Sequence, residues 1–276
     1  MSATQPPIVT FLTDYGLDDP FVGLCHAAVL AVEPRTHIVD VCHSVPPQDV
    51  RAGAFLLAQC VPDLPPAVHV AVVDPGVGTA RRGIAIRAGS HLFVGPDNGL
   101  MWPAAVRAGG IQGLWELADP AYHRQPVSRT FHGRDVFAPV AGHLAAGLPP
   151  ARLGPALEPR DLARLELPGA TVTEDEIDAE VVAVDRFGNL QLPVTGNDLA
   201  RAGFTPGTRL DATVAGGAWT LTVTETFAAI PQGALGVLED SFGYAAIFAN
   251  AGNAAERLGA GPGAGVALRI SGRLPH

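Results

Sequence analysis

Val70–Gly83, VAVVDPGVGTARRG, decides how the rest of the chain is read. It opens as a run of apolar, largely β-branched residues, the pattern of a strand buried on both faces of a sheet. It breaks at Asp74-Pro75-Gly76, a turn signal. Gly76, Gly78 and Gly83 keep the backbone open, and the arginines Arg81 and Arg82 follow. A carboxylate at the carboxyl end of a buried strand, with a guanidinium in the same loop, is where an open α/β sheet places its site. The stretch by itself fits equally well a turn-capping aspartate paired with a surface arginine.

Working outward, Ile8–Leu12 reads as a first strand ending in the polar turn Thr13-Asp14-Tyr15-Gly16. Pro20–Val32 reads as a helix with Pro20 in its first turn. His37–Val41 reads as a second strand, Gln48–Val61 as a second helix and Val68–Val73 as a third strand. This alternation predicts a parallel sheet with right-handed crossovers. Gly83–Arg87 and His91–Val94 read as further strands, Pro96–Gly99 as a turn and His132–Leu144 as a closing helix.

The character changes near Leu148. Pro149–Pro168 is rich in Pro, Leu and Arg, and residues 149–176 are expected to link two domains. From Ile177 the segments are short and strand-like: Ala179–Val184, Arg209–Val214, Trp219–Thr224, Ala234–Leu238 and Gly265–Ile270. Helix signals are nearly absent there. The expected fold class is α/β: a larger N-terminal domain, residues 1–148, with a mostly parallel sheet flanked by helices. A smaller β-barrel or sandwich domain, residues 177–276, follows.

Composition narrows the partners. The chain has 276 residues, 47% hydrophobic and 16% charged, enough for a large core and with little that reads as disordered. A net charge of −9 argues against a nucleic-acid partner, which needs a basic face. No apolar run reaches the ~18 residues of a membrane span, and no secretion signal is visible. Cys25, Cys42 and Cys60 form no CxxC pair, which predicts reduced thiols and a cytoplasmic location.

Several polar clusters could carry chemistry. Asp14 and Asp74 both close strands of one expected parallel sheet, so both point into one crevice, and a carboxylate such as Asp14 can hold a vicinal diol. Thr130-Phe131-His132-Gly133-Arg134-Asp135 sets His132 at the start of a helix, where the amino end favours a neutral imidazole. His26, His37, His43, His69, His91, His123, His143 and His276 read as capping or solvated residues. None shows a ligand spacing, so no metal is expected. Asp185-Arg186-Phe187-Gly188-Asn189 and Asp240-Ser241-Phe242-Gly243-Tyr244 each close a strand. Both fit hairpin turns. Both could also supply a carboxylate for an ammonium, an amide for an adenine edge and rings for stacking.

Five motifs in this order, TDYG (Thr13–Gly16), VVDPGVGTARR (Val72–Arg82), TFHGRD (Thr130–Asp135), DRFGN (Asp185–Asn189) and SFGY (Ser241–Tyr244), make the chain resemble a known family. These are the S-adenosyl-L-methionine (SAM) hydroxide adenosyltransferases, or SAM hydrolases, relatives of the fluorinase and chlorinase. The resemblance spans nearly the whole chain. It implies hydrolysis of SAM to adenosine and L-methionine without a cofactor, in a homotrimer with sites at subunit interfaces. It implies that Asp74, Arg81 and His132 activate water and that Asp14 holds the ribose. Asp185 would meet the methionine ammonium, Asn189 the adenine and Ser241 the methionine carboxylate, with Phe131, Phe187 and Tyr244 also in the site. The halogenases lack the Asp-Pro-Gly-Val-Gly run and place Tyr-Ser or Tyr-Gly where this chain has His132-Gly133, which favours water over halide. The fluorinase has an Arg where this chain has Phe242. A halogenase and a non-catalytic SAM or adenosine binder are the alternatives.

Overall fold

The computed structural model describes residues 6–272; His276 lies outside them. The chain has a mixed α/β fold with two sheets. It divides into two compact units, Met1–Glu166 and Leu167–His276.

The first unit runs β1 (Ile8–Thr13), α1 (Phe21–Val32), β2 (His37–Cys42), α2 (Val50–Cys60), β3 (Val68–Val72), β4 (Gly83–Ala88), β5 (His91–Pro96), α3 (Trp102–Arg107), β6 (Ile111–Glu116) and α4 (Ala138–Ala145). Its six strands lie in the order β2-β1-β3-β5-β4-β6. The first four are parallel, and β4 pairs antiparallel with β5 and β6. Every residue of β3 is buried, as a strand covered on both faces must be. One face packs on α1 and α4 through Val9, Phe11, Cys25, Val29, Val70, Val72, Val140 and Leu144. The chain leaves β1 for β2 on one side and returns to β3 on the other, so β1 and β3 flank a switch in strand order. Open parallel sheets bind ligands at the carboxyl ends of such a pair.

Helix starts follow local chemistry. Asp49 caps α2 by accepting from Ala52 N at 2.9 Å. The expected helix at His132 begins instead as a π-helical turn, Gly133–Phe137, before α4. Pro139 is the physical reason: it cannot donate to the Asp135 carbonyl, which accepts from Arg124 N at 2.8 Å. The wider turn carries the chain past that missing bond.

The second unit contains β7 (Thr171–Val172), β8 (Glu176–Glu180), β9 (Ala183–Val184), β10 (Leu190–Thr195), α5 (Gly196–Arg201), β11 (Arg209–Val214), β12 (Gly217–Val223), β13 (Leu235–Glu239), β14 (Tyr244–Ala249), α6 (Ala254–Leu258) and β15 (Gly265–Ile270). Its nine strands run β7-β8-β15-β11-β12-β13-β14-β10-β9, antiparallel except for β12 with β13. The sheet curls into a half-barrel, bringing β8 against β10 around a core that includes Ile177, Leu192, Leu210, Val237 and Ile247.

The structure adds α3, β6, β7, β10 and β14 to the expected elements, and the expected strand Ala179–Val184 is two strands, β8 ending at Glu180 and β9 at Ala183–Val184. The second unit also holds two short helices, α5 with a reciprocal Thr195–Asp198 capping box and α6 capped by Asn253. Within residues 149–176 the chain is not free of pairing: Glu116 N donates to Pro155 O at 3.0 Å and Leu157 N to Leu114 O at 2.9 Å, extending β6. No helix among the described residues is long and apolar enough to cross a membrane.

Candidate active site

Asp14 is the first residue beyond β1, and Asp74 lies two residues beyond β3. Thr13 pairs with Val72 across these strands, so the two carboxylates leave the sheet side by side. Asp14 Oδ2 accepts from the Gln48 amide at 2.8 Å. Gln48 holds a positive φ of 66° to make that bond, a strained conformation for a residue with a side chain.

The arginine pair splits. Arg82 turns to Asp97, with Nε at 3.0 Å and Nη2 at 2.6 Å from Oδ2. Arg81 turns inward: its Nε lies 3.0 Å from both Asp74 oxygens, and its Nη2 donates to Asp74 Oδ2 and to His132 Nδ1, the latter at 2.9 Å. The Arg81 guanidinium also lies 5.1 Å from the Phe137 ring centroid. The Asp74 and Arg81 side chains are 5% and 12% exposed, so they do not form a surface pair. A buried ion pair adds little net stability, and both partners of Arg81, Asp74 and His132, line a cavity, which points to chemistry.

A guanidinium only donates, so His132 Nδ1 must accept and the neutral ring carries its proton on Nε2. Burial and the Arg81 charge both hold the His132 pKa below its ordinary value. Asp74 keeps unused lone pairs, because a carboxylate has about four acceptor sites.

Two glycines bring these segments together. Gly78, at φ +76°, packs on the Arg129 carbonyl, seating the Asp74 loop beside Thr130-Phe131-His132. A Cβ at Gly133 would collide with the Tyr15 hydroxyl, so glycine lets Tyr15 reach the wall. The cavity so formed, about 250 Å³, is lined by Asp14, Tyr15, Gln48, Asp74, Thr130 and His132 among others. Burial, with the Cys25 thiol and the Asp14 and Asp74 carboxylates, pushes the Tyr15 phenol well above its usual range. Larger cavities of about 440 Å³ exist, one between apolar residues of α1 and a polar wall of His123, Arg124, Arg134 and His143, and another on β11 and β12. Neither gathers a carboxylate, a guanidinium and an imidazole on one point.

The structure thus brings Asp14, Asp74, Arg81 and His132 together. Phe131 packs into an aromatic cluster with the cavity-lining Tyr15, 5.9 Å away between ring centroids, and Phe21, 5.2 Å away. Tyr15, Gln48 and Thr130 also line the cavity. The first two sit in turns whose only sequence signal is the neighbouring Asp14 and Asp49. The solvated or capping reading fails for two histidines. His69 is fully buried between Thr10 Oγ1 at 2.7 Å and His91 Nδ1 at 2.8 Å, and burial, aided by His91, pushes its pKa down to about 3. His43 is buried beneath Thr13, its Nδ1 2.9 Å from Thr13 Oγ1.

In the second unit, Asp185 closes its own turn. Its Oδ1 accepts from Phe187 N and Asn189 N, at 2.8 and 2.9 Å, and its Oδ2 from Asn189 Nδ2 at 2.7 Å. One acceptor site of about four and the Asn189 carbonyl oxygen are left for a ligand. Phe187 stands 76% exposed at the tip. Asp240 shapes the other turn by accepting from Phe242 N and Tyr244 N, at 2.9 and 3.0 Å, leaving Ser241 exposed. Gln191 Nε2 donates to Asp240 Oδ2 at 2.8 Å and so ties the strand leaving the first turn to the second turn.

Residues 9–154 match the model of the SAM hydroxide adenosyltransferase N-terminal domain, and residues 179–267 match that of its C-terminal domain. The chain belongs to the SAM hydroxide adenosyltransferase family. Within this family it is 48% identical over 263 residues to the (R)-S-adenosyl-L-methionine hydrolase of Salinispora tropica, covering 93% of this chain and 95% of that one. It is 40% identical over 274 residues to the enzyme of the same name from Thermus thermophilus, covering 94% and 98%. More distant relatives are fluorinases. Among solved structures it is similar to an uncharacterized conserved protein from Thermotoga maritima, with a TM-score of 0.90, 32% identity and coverage of 95% and 99%.

Proposed function

We propose that the chain hydrolyses SAM to adenosine and L-methionine, with Asp74, Arg81 and His132 handling the water. The observation that carries this reading is the convergence of Asp74 and His132 on the Arg81 guanidinium. Water attacks the ribose C5′ in line with the departing sulfur. The C5′–S bond breaks, its electron pair leaves on methionine as a neutral thioether, and the water proton passes to Asp74 and then to solvent. The leaving group is uncharged and needs no acid, and SAM brings its own activation, so no cofactor enters the step. Arg81 stabilises charge developing on the oxygen. The His132 Nε2–H orients it. Asp14, fixed by Gln48, holds the ribose diol. Charge is annihilated as hydroxide meets sulfonium, and a dry cavity favours that.

The cavity of about 250 Å³ lies below the ~300–1,000 Å³ of complete small-molecule sites. That shortfall leaves room for further walls, and the family resemblance supplies them in a homotrimer, as Asp185, Phe187, Asn189, Ser241 and Tyr244 of a neighbouring subunit. The three unpaired thiols fit a reducing, cytoplasmic setting.

Chromatography of SAM incubated with the purified protein tests the reaction: adenosine and methionine should appear together, and added chloride should yield no 5′-chloro-5′-deoxyadenosine. Intact SAM after hours would leave a binding module. Asp74→Ala should lower turnover at least ~10²-fold with a modest change in SAM affinity. Unchanged turnover would remove Asp74 from the mechanism.

A further inference from the structure

Away from the cavity, three side chains from three elements meet on one point. His26 comes from α1, Asp40 from β2 at the edge of the first sheet, and His43 from the turn after β2. His26 Nε2 is hydrogen-bonded to Asp40 Oδ1 at 2.9 Å, His43 Nε2 lies 2.9 Å from the same oxygen, and the three atoms all fall within 4.8 Å of one another.

The His43 contact is not a hydrogen bond. His43 is 5% exposed and its Nε2 is buried with no hydrogen-bond partner among the described residues. Asp40 Oδ1 is close enough to accept, so the fault is direction: the oxygen stands beside the ring axis rather than along it. A buried polar nitrogen aimed past its nearest neighbour is costly. The same relation is the ordinary one between two ligands of one metal ion. Each aims at the ion, about 2.0–2.2 Å away, and they flank each other.

The surroundings fit that role. The Thr13 hydroxyl on His43 Nδ1, at 2.9 Å, fixes the ring and directs Nε2 to the cluster, as partners of metal-bound imidazoles do. The His26 and Asp40 side chains are 23% and 45% exposed, so an ion has an entry path and water can fill its remaining position. Two imidazoles and one carboxylate suit borderline divalent first-row ions over calcium or magnesium.

We propose that His26, Asp40 and His43 form a binding site for one divalent first-row transition ion of the zinc class. The ion would brace the turn that bears Asp14, because Thr13 holds His43 and the His43 carbonyl accepts from Gly16 N at 2.7 Å. It takes no part in activating water, and its occupancy is independent of the hydrolysis reading.

The test uses the full-length chain, stripped with a chelator and dialysed against zinc. The wild type should retain one zinc per chain and melt at a higher temperature than its stripped form. His26→Ala and Asp40→Asn should lose both effects. His37→Ala, which removes an exposed imidazole from the same strand, should keep both. Cobalt in place of zinc should give the wild type a visible absorption band that His26→Ala lacks. Because His26 reaches the surface, circular dichroism of the stripped variant checks that it folds. Zinc retained equally by His26→Ala, or no zinc retained by the wild type, overturns the site.

Discussion

Arg81 serves two partners with one guanidinium, and that sharing sets what each can do. Since it donates to His132 Nδ1, the imidazole is held with its proton on Nε2 and acts toward a water as a donor. That leaves Asp74 as the proton acceptor in the proposed mechanism. Burial and the Arg81 charge both disfavour imidazolium, so the neutral ring survives to lower pH than the ordinary value of 6.5 would allow. Protonation would put N–H against N–H and break the contact. The acidic limb of kcat/KM should therefore fall below pH 6.5. A limb at or above that value would show that His132 is not held neutral. At this scale the sequence was informative where a residue type has few uses. Asp74 and His132 stood out as a carboxylate and an imidazole in turns, but Arg81 could not be told from Arg82 by residue type, and only the family resemblance joined the three. The tautomer could not be read, because it depends on which side chain arrives from a segment 51 residues away. Gln48 could not, because its role lies in a backbone angle.

Among the elements, the π-helical turn after His132 is the joint on which the site depends. Gly133 at its start admits the Tyr15 hydroxyl, so Gly133→Ala should displace Tyr15, cost about 1–3 kcal/mol by overpacking and lower turnover. Urea melts and kcat together check it; a variant equal to wild type in both would mean the wall tolerates a methyl. Asp135 anchors the same turn. It is fully buried and accepts from Arg134, the Ser128 amide and Arg124. Burial pushes its carboxyl up, but those hydrogen bonds together outweigh it and hold the pKa below the usual 3.8. Asp135→Ala should cost about 3 kcal/mol at neutral pH, the lower end for breaking a buried pair, because both arginines reach solvent. A depressed carboxyl stabilises above its unfolded value and loses that contribution as pH falls through its folded value. The gap between wild type and variant should accordingly close in acid, and a gap independent of pH would contradict the assignment. The strands and helices with clean periodicity, from β1 through β3, were legible. β10 was not, because Pro193 interrupts it and its pairing with β14 slips between Gln191 and Thr195. The segment that becomes β14, Tyr-Ala-Ala-Ile-Phe-Ala, is half alanine and carries little strand propensity. α3 and α5 are six residues each, too short to show a period.

The whole molecule poses a different question, because the residues expected to hold SAM are shared between two units. Co-expression of Asp74→Ala with Asp185→Ala tests the proposed sharing between subunits. Each variant alone should be inactive, and mixed trimers should regain activity at sites that draw an intact first unit from one chain and an intact second unit from another. No recovery in folded mixtures would confine each site to a single chain. The two-sheet character was legible from the change in segment length after Leu148. The curl of the second sheet was not, since bringing β8 against β10 requires contacts no local pattern encodes.

The pairing of Thr13 with Val72 fixes something further. The register of the two strands that lead to the carboxylate proposed to grip the sugar and the one proposed to grip the nucleophile is set by main-chain hydrogen bonds. Such a frame works as a caliper with interchangeable tips. Redecorating the loops beyond β3 can change which small nucleophile is presented, while the berth for the nucleoside stays where it is.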